Sequence, residues 1–271
     1  MENILLQSDI RGKGDPLILA PGGLTGWKSW EPFVDYFLSQ QKEVIRVQLL
    51  SVQYGLENRN LPDDYSVKTE SRALNSTLSD LRIKTPVDII GWSFGAFVCL
   101  DFALDNPEKT GTLTLIEPPA LWVLHGKGGV DLQTQELIKF FESLNGDITE
   151  EMLSAFLEKV GFTPGGESPR DLPQWHQWLP YKQSLRNSVA VASHRDDLNR
   201  LRNLKSPVLL VKGTGSAPFL HEIIDGLYSC LPNSTVVEMA GGHAPHIVSR
   251  EQFLEEWKKF KWEYDLEAAR K

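Results

Sequence analysis

Residues 88–97 read Asp-Ile-Ile-Gly-Trp-Ser-Phe-Gly-Ala-Phe. An apolar run (Val87, Ile89, Ile90) ends on a serine flanked at −2 and +2 by glycines, Gly91-Trp92-Ser93-Phe94-Gly95. A structural loop seldom needs two glycines so placed. A serine forced onto a very sharp strand-to-helix turn does, because side chains on either side would collide as the chain reverses. Ala96 is small for the same reason. The pattern predicts a nucleophile elbow, with Ser93 held in a strained backbone conformation at the end of a strand.

Working outward, short apolar runs alternate with helical patterns. The strands are predicted at Leu17–Ala20, Glu43–Leu49, Val87–Gly91, Gly111–Ile116, Val208–Lys212 and Thr235–Met239. Most are continuous apolar runs, as expected of parallel strands covered on both faces. Helices are predicted at Trp30–Gln40, Val67–Leu81, Gly95–Asn106 (stopped by Pro107), Ala217–Cys230 and Arg250–Trp262. The last shows Phe253, Trp257, Phe260 and Tyr264 as a core-facing stripe. The alternation predicts an α/β, doubly wound sheet. One stretch breaks it: from about Leu121 to Asn203 the patterning is helical without a convincing strand, with Leu132–Ser143 and Thr149–Val160 as helices and a Gly/Pro-rich link at Thr163–Pro173. The expected division is a core of residues 1–120 and 204–271 carrying a helical cap at 121–203.

A nucleophilic serine needs a base. Of six histidines, His125, His176 and His194 fall in the presumed cap and His221 in a helix; only His243 and His246 follow the final strand. Gly241-Gly242-His243 lies on the loop where a ring can reach the serine, so His243 is the candidate base and His246 a support for that loop. Ser249 with Gln252 reads as a capping box for the next helix, and Val248 with Phe253 as its hydrophobic staple. An oxyanion hole needs backbone N–H donors at the end of an early strand. Leu17–Ala20 runs into Pro21-Gly22-Gly23, so Gly23 is one candidate donor and Phe94, after the serine, the other. Leu24, Trp92 and Trp122 are candidate pocket-lining residues.

With these motifs the chain resembles the α/β-hydrolase superfamily over nearly its whole length: the Pro-Gly-Gly loop, Gly-Trp-Ser-Phe-Gly, Glu-Pro-Pro at 117–119, Lys-Gly-Thr-Gly at 212–215 and Gly-Gly-His-Ala-Pro-His. The resemblance implies a mostly parallel eight-stranded sheet with a lid built from the insertion. It also exposes a departure. Family members commonly carry the triad acid just after the strand equivalent to Val208–Lys212, but Gly213-Thr214-Gly215-Ser216-Ala217 holds no carboxylate. Glu222 and Asp225 come later, inside the following helix. The superfamily has a second acid position, at the end of the strand after the nucleophile helix, and there this chain has Glu117. Glu117 is the expected triad acid; the alternatives are that it is a loop glutamate or that it holds cap structure.

Composition sets the outer limits. Of 271 residues, 41% are hydrophobic and 24% charged, enough for a full core. A net charge of −8 argues against nucleic acid or an anionic membrane as partner. No apolar run approaches the ~18 residues of a membrane span, and the N-terminus lacks the basic and apolar regions of a signal peptide. Two cysteines, Cys99 and Cys230, make neither a disulfide framework nor a zinc site and suit a reducing, cytoplasmic location. The expected activity is hydrolysis of an ester, thioester or lactone of a small, largely apolar acid, with a small-molecule substrate and neither metal nor organic cofactor. Serine at the elbow, where aspartate would be needed, argues against dehalogenase and epoxide hydrolase chemistry. C–C bond hydrolysis, perhydrolysis, acyl transfer and a non-catalytic receptor role remain open.

Overall fold

In the computed structural model, which describes residues 4–163 and 165–269, every expected apolar run is a strand of one sheet. The strands are β1 (Gln7–Arg11), β2 (Asp15–Ala20), β3 (Lys42–Gln48), β4 (Val87–Trp92), β5 (Thr110–Ile116), β6 (Val208–Gly213) and β7 (Ser234–Met239). They lie in the order β1-β3-β2-β4-β5-β6-β7. All neighbours are parallel except β1, which runs antiparallel to β3. Among the described residues the sheet therefore has seven strands, not eight. β1 has no counterpart among the expected strands. Its sequence, Gln-Ser-Asp-Ile-Arg, is polar because the strand sits on the sheet edge and buries little side chain; backbone pairing with β3 holds it.

The central strands are buried on both faces, and alternate residues feed two separate cores. Ile18, Ile89, Leu113 and Leu210 pack on one side, with Phe97 and Val98 of the helix Phe94–Asp105. Leu17, Leu19, Ile90, Leu209 and Val211 pack on the other, with Trp30, Phe33, Phe37, Phe253 and Trp257. Phe253 and Trp257 belong to the stripe on the C-terminal helix, Arg250–Ala269. The elbow helix is buried around its whole circumference from Phe94 to Ala103. The sheet covers one side of it and neighbouring helices the rest.

Between β5 and β6 the described residues contain helices and no strand, including Leu132–Ser143, Glu150–Lys159 and Ser188–Ser193. Pro164, in the Thr163–Pro173 link, lies outside the described residues, as do Met1–Asn3. A helix at Leu50–Leu56, unforeseen from the sequence, begins where the backbone N–H groups of Leu50 and Ser51 donate to the buried Glu70 carboxylate at 2.9 and 2.8 Å. A distant side chain thus caps this helix, and no local residue signals it. The expected cap at Ser249 is not formed. Ser249 Oγ instead donates to the Ala240 carbonyl at 2.9 Å, a short helix Pro245–Val248 intervenes, and Val248 is exposed while Phe253 is buried. A serine hydroxyl near a turn often satisfies a loop carbonyl in preference to a helix N–H.

Candidate active site

Ser93 stands where β4 meets its helix, with φ +53° and ψ −124°. The two glycines of the elbow are needed for different reasons. A Cβ on residue 91 would lie 2.5 Å from Ala96 Cα, within the turn itself. One on residue 95 would lie 2.3 Å from the Pro21 carbonyl oxygen, on the loop after β2. The elbow is therefore wedged against the Pro21-Gly22-Gly23 loop. Ser93 N–H donates to Ile116 O at 2.8 Å, which ties the turn to β5 as well.

His243 follows β7 on the glycine loop and is buried. Its Nε2 lies 2.8 Å from Ser93 Oγ and its Nδ1 lies 2.8 Å from Glu117 Oε2. With Nδ1–H donating to the carboxylate, Nε2 is free to accept the serine proton. Two hydrogen bonds hold the His243 backbone. His243 N–H donates to Gly161 O at 3.2 Å, and the Trp92 indole N–H donates to His243 O at 2.7 Å. Residue 242 has to be glycine here, since a Cβ would lie 2.1 Å from Gly161 O.

Glu117 is the first residue after β5, fully buried, with φ +47°, so it shares with Ser93 a left-handed backbone rare for residues with side chains. Its Oε1 accepts from Gly213 N–H at 2.7 Å and from Ser216 Oγ. The turn that lacks a carboxylate thus supplies donors to one arriving from the next strand. A buried ionised carboxylate requires this many partners. Asp225 points away, toward Lys212 at 3.3 Å.

One cavity, enclosing about 550 Å³ with its mouth, joins Gly23, Leu24, Trp92, Ser93, Phe94 and His243. Phe94 is the first residue of its helix, so its N–H has no intrahelical acceptor. Ser184 Oγ donates to Gly23 O at 2.8 Å and fixes that loop. Residues from the stretch between β5 and β6, among them Phe141, Phe156 and Val160, form the opposite wall. Trp122 is not brought to this cavity. Its ring is buried near His194, centroids 6.4 Å apart, and its short helix packs on the helix Pro218–Cys230. Ser184, Ser216 and Gly161 are the contributors that sequence reasoning missed. Only Ser216 left a signal, by standing in the turn where an acid was sought.

His246 is the loop's buried support, enclosed by Trp30, Phe33, Trp92 and Phe253 with ring centroids 4.9–5.9 Å away. Burial, with the neighbouring His243 adding to it, pushes its pKa down to about 3. Among the described residues one trio could hold a metal, Asp101, His194 and Asp196. Lys68 stands 2.9 Å from Asp101 and Arg200 2.5 Å from Asp196, so the carboxylates are already neutralised. The trio is better suited to joining the stretch before β6 to the core helices. No helix among the described residues is long and apolar enough to cross a membrane.

Comparison with known proteins agrees with this architecture. A pimeloyl-(acyl-carrier protein) methyl ester esterase of Nitrosomonas europaea is 24% identical over 250 residues, covering 90% of this chain and 94% of that protein. An esterase of Exiguobacterium antarcticum superposes with a TM-score of 0.74 at 19% identity, covering 94% of each chain. A thermophilic esterase of Thermogutta terrifontis does so with 0.74 at 17% identity, covering 96% of this chain and 93% of its own. At such identities the structures speak for the fold alone. The model of the alpha/beta hydrolase family matches residues 17–256, and the chain belongs to that family.

Proposed function

We propose that this protein is a serine hydrolase that cleaves an ester, thioester or lactone of a small, largely apolar acid through an acyl-enzyme on Ser93. The observation that carries the reading is the continuous line of hydrogen bonds from Ser93 Oγ through His243 to Glu117, opening on an apolar cavity. Esterase names among the relatives support the same reaction class.

In this reading Ser93 Oγ attacks the substrate carbonyl carbon while its proton passes to His243 Nε2. The imidazolium is stabilised by Glu117, which does not itself take the proton. The developing oxyanion turns toward the N–H groups of Phe94 and Gly23, and each such donor is worth about 10²–10³-fold in rate. Nε2–H then protonates the leaving alcohol or thiol. Water enters, gives a proton to Nε2, and attacks the acyl carbonyl; collapse returns that proton to Ser93 Oγ and releases the acid. The same ring serves as base and as acid, which its two hydrogen bonds favour. Residues 121–203 act as a lid that excludes water and sets acyl preference, while 1–120 and 204–271 supply the chemistry. The unpaired, buried Cys99 and Cys230 suit a cytoplasmic location.

The test is Ser93→Ala. A fluorophosphonate probe should label the wild-type protein at Ser93 and leave the variant unlabelled. Ester turnover should fall by about 10³-fold or more with the circular dichroism spectrum unchanged. Undiminished turnover in the variant would rule out the acyl-enzyme.

A further inference from the structure

We propose that Asn187 and Ser188 form a polar subsite for a second, neutral oxygen of the substrate, within two or three atoms of the scissile carbonyl. The inference rests on the serine-hydrolase reading and narrows its substrate class to esters of hydroxy or oxo acids.

Apart from the Ser93–His243 pair, the cavity wall is almost wholly apolar, and Asn187 and Ser188 are its polar side chains. They are only 5% and 3% exposed. An amide or hydroxyl withdrawn from bulk water is disfavoured unless a hydrogen bond compensates. Asn187 is the last residue of a 3₁₀ helix, Leu179–Asn187, that runs directly into the helix Ser188–Ser193, and its side chain bonds no helix N–H. Among the described residues its single hydrogen bond runs from Nδ2 to Ser51 Oγ at 3.4 Å, well beyond the usual ~2.9–3.0 Å. No hydrogen bond among the described residues engages Asn187 Oδ1 or Ser188 Oγ, and neither atom is among the fully enclosed unpaired ones, so both keep access to open space. Both residues line the cavity, and both side chains keep unused hydrogen-bonding capacity.

The support behind them is elaborate. Ser51 is anchored through its backbone to Glu70, which is fully buried and also accepts from Tyr65 OH at 2.6 Å. Position completes the argument. Asn187 Nδ2 lies 3.5 Å from the point where a Cβ on Gly23 would sit, so the amide borders the proposed oxyanion loop. An oxygen on the second or third carbon of the acyl chain would reach it when the carbonyl faces Ser93. That oxygen is neutral, because no lysine or arginine lines the cavity to balance a carboxylate.

The experiment compares kcat/KM for the ethyl esters of hexanoic, 3-hydroxyhexanoic and 3-oxohexanoic acids. The wild-type protein should prefer an oxygenated ester by about tenfold or more, the scale of one buried hydrogen bond. Asn187→Leu and Ser188→Ala should each shrink that ratio toward one. A wild-type ratio near one, with the hexanoate hydrolysed, overturns this inference alone. So does a variant that slows all three esters by the same factor, which is what a merely structural role would give. Absence of both turnover and fluorophosphonate labelling overturns the hydrolase reading and this one with it.

Discussion

The turn at Gly91–Gly95 and the turn at Gly213–Ser216 both end central parallel strands and both face His243, but they are constrained differently. The first must deliver an oxygen from its own residue, so the backbone has to bend there and no side chain fits beside it. The second only has to border the place where a carboxylate oxygen meets His243 Nδ1. Glu117 brings that oxygen from β5, and the β6 turn contributes Gly213 N–H and Ser216 Oγ. A nucleophile is bound to its local geometry, whereas an acid is defined by where its oxygen arrives. In the proposed reaction the acid could therefore sit on either strand, while the elbow has one place.

The sharpest way to break this contrast is to remove the acid and restore it elsewhere. Glu117→Gln should cut kcat by about 10³–10⁴-fold with a much smaller change in KM, because the amide favours the wrong tautomer and no longer stabilises the imidazolium. Glu117→Ala combined with Ser216→Asp should recover at least about tenfold over Glu117→Ala alone. No recovery, with the protein folded, would mean that the carboxylate must come from β5.

The elbow should resist any such rearrangement. Gly95→Ala places a methyl against the Pro21 carbonyl, and overpacking of this kind costs about 1–3 kcal/mol. Urea titration should show that loss. Residual activity should fall too, since the displaced loop carries Gly23. A variant as stable and active as the wild type would show that the elbow is looser than its contacts require.

A pH-dependent effect, absent at neutral pH, separates the two histidines of one loop. His246 is neutral in the fold, with its pKa near 3, whereas the unfolded chain protonates a histidine near pH 6.5. Between those values the unfolded state holds one more proton, so stability falls as pH drops, by at most about 1.4 kcal/mol per unit. His246→Leu should remove that contribution. Comparing urea midpoints of the two proteins from pH 7 to pH 4 measures it, and parallel slopes would show that His246 is not kept neutral.

Much of the site was legible because its signals are local. Gly91 and Gly95 are enforced by contacts under 3 Å, and His243 could be singled out because few histidines follow the last apolar strand. Glu117 follows from the resemblance, because it stands at the family's second acid position while Gly213–Ala217 holds no carboxylate. Other parts left no local mark. β1 is polar because edge strands are held by backbone pairing. The helix at Leu50–Leu56 is started by Glu70, about twenty residues away. Trp122 looked like a pocket residue by composition, but the packing of its short helix turns it toward His194.

The alternation of strands and helices, the sharp turn at Ser93 and the histidine loop follow from the residues alone, because backbone sterics and apolar periodicity act over a few residues. Which oxygens and nitrogens meet is settled by the folded chain: Ser216 on Glu117, Trp92 on the His243 carbonyl, Gly161 on its N–H, and Asn187 beside Gly23. Those contacts join strand ends and loops far apart in the chain, and their geometry is set by how the sheet twists and how the helices between β5 and β6 settle on it.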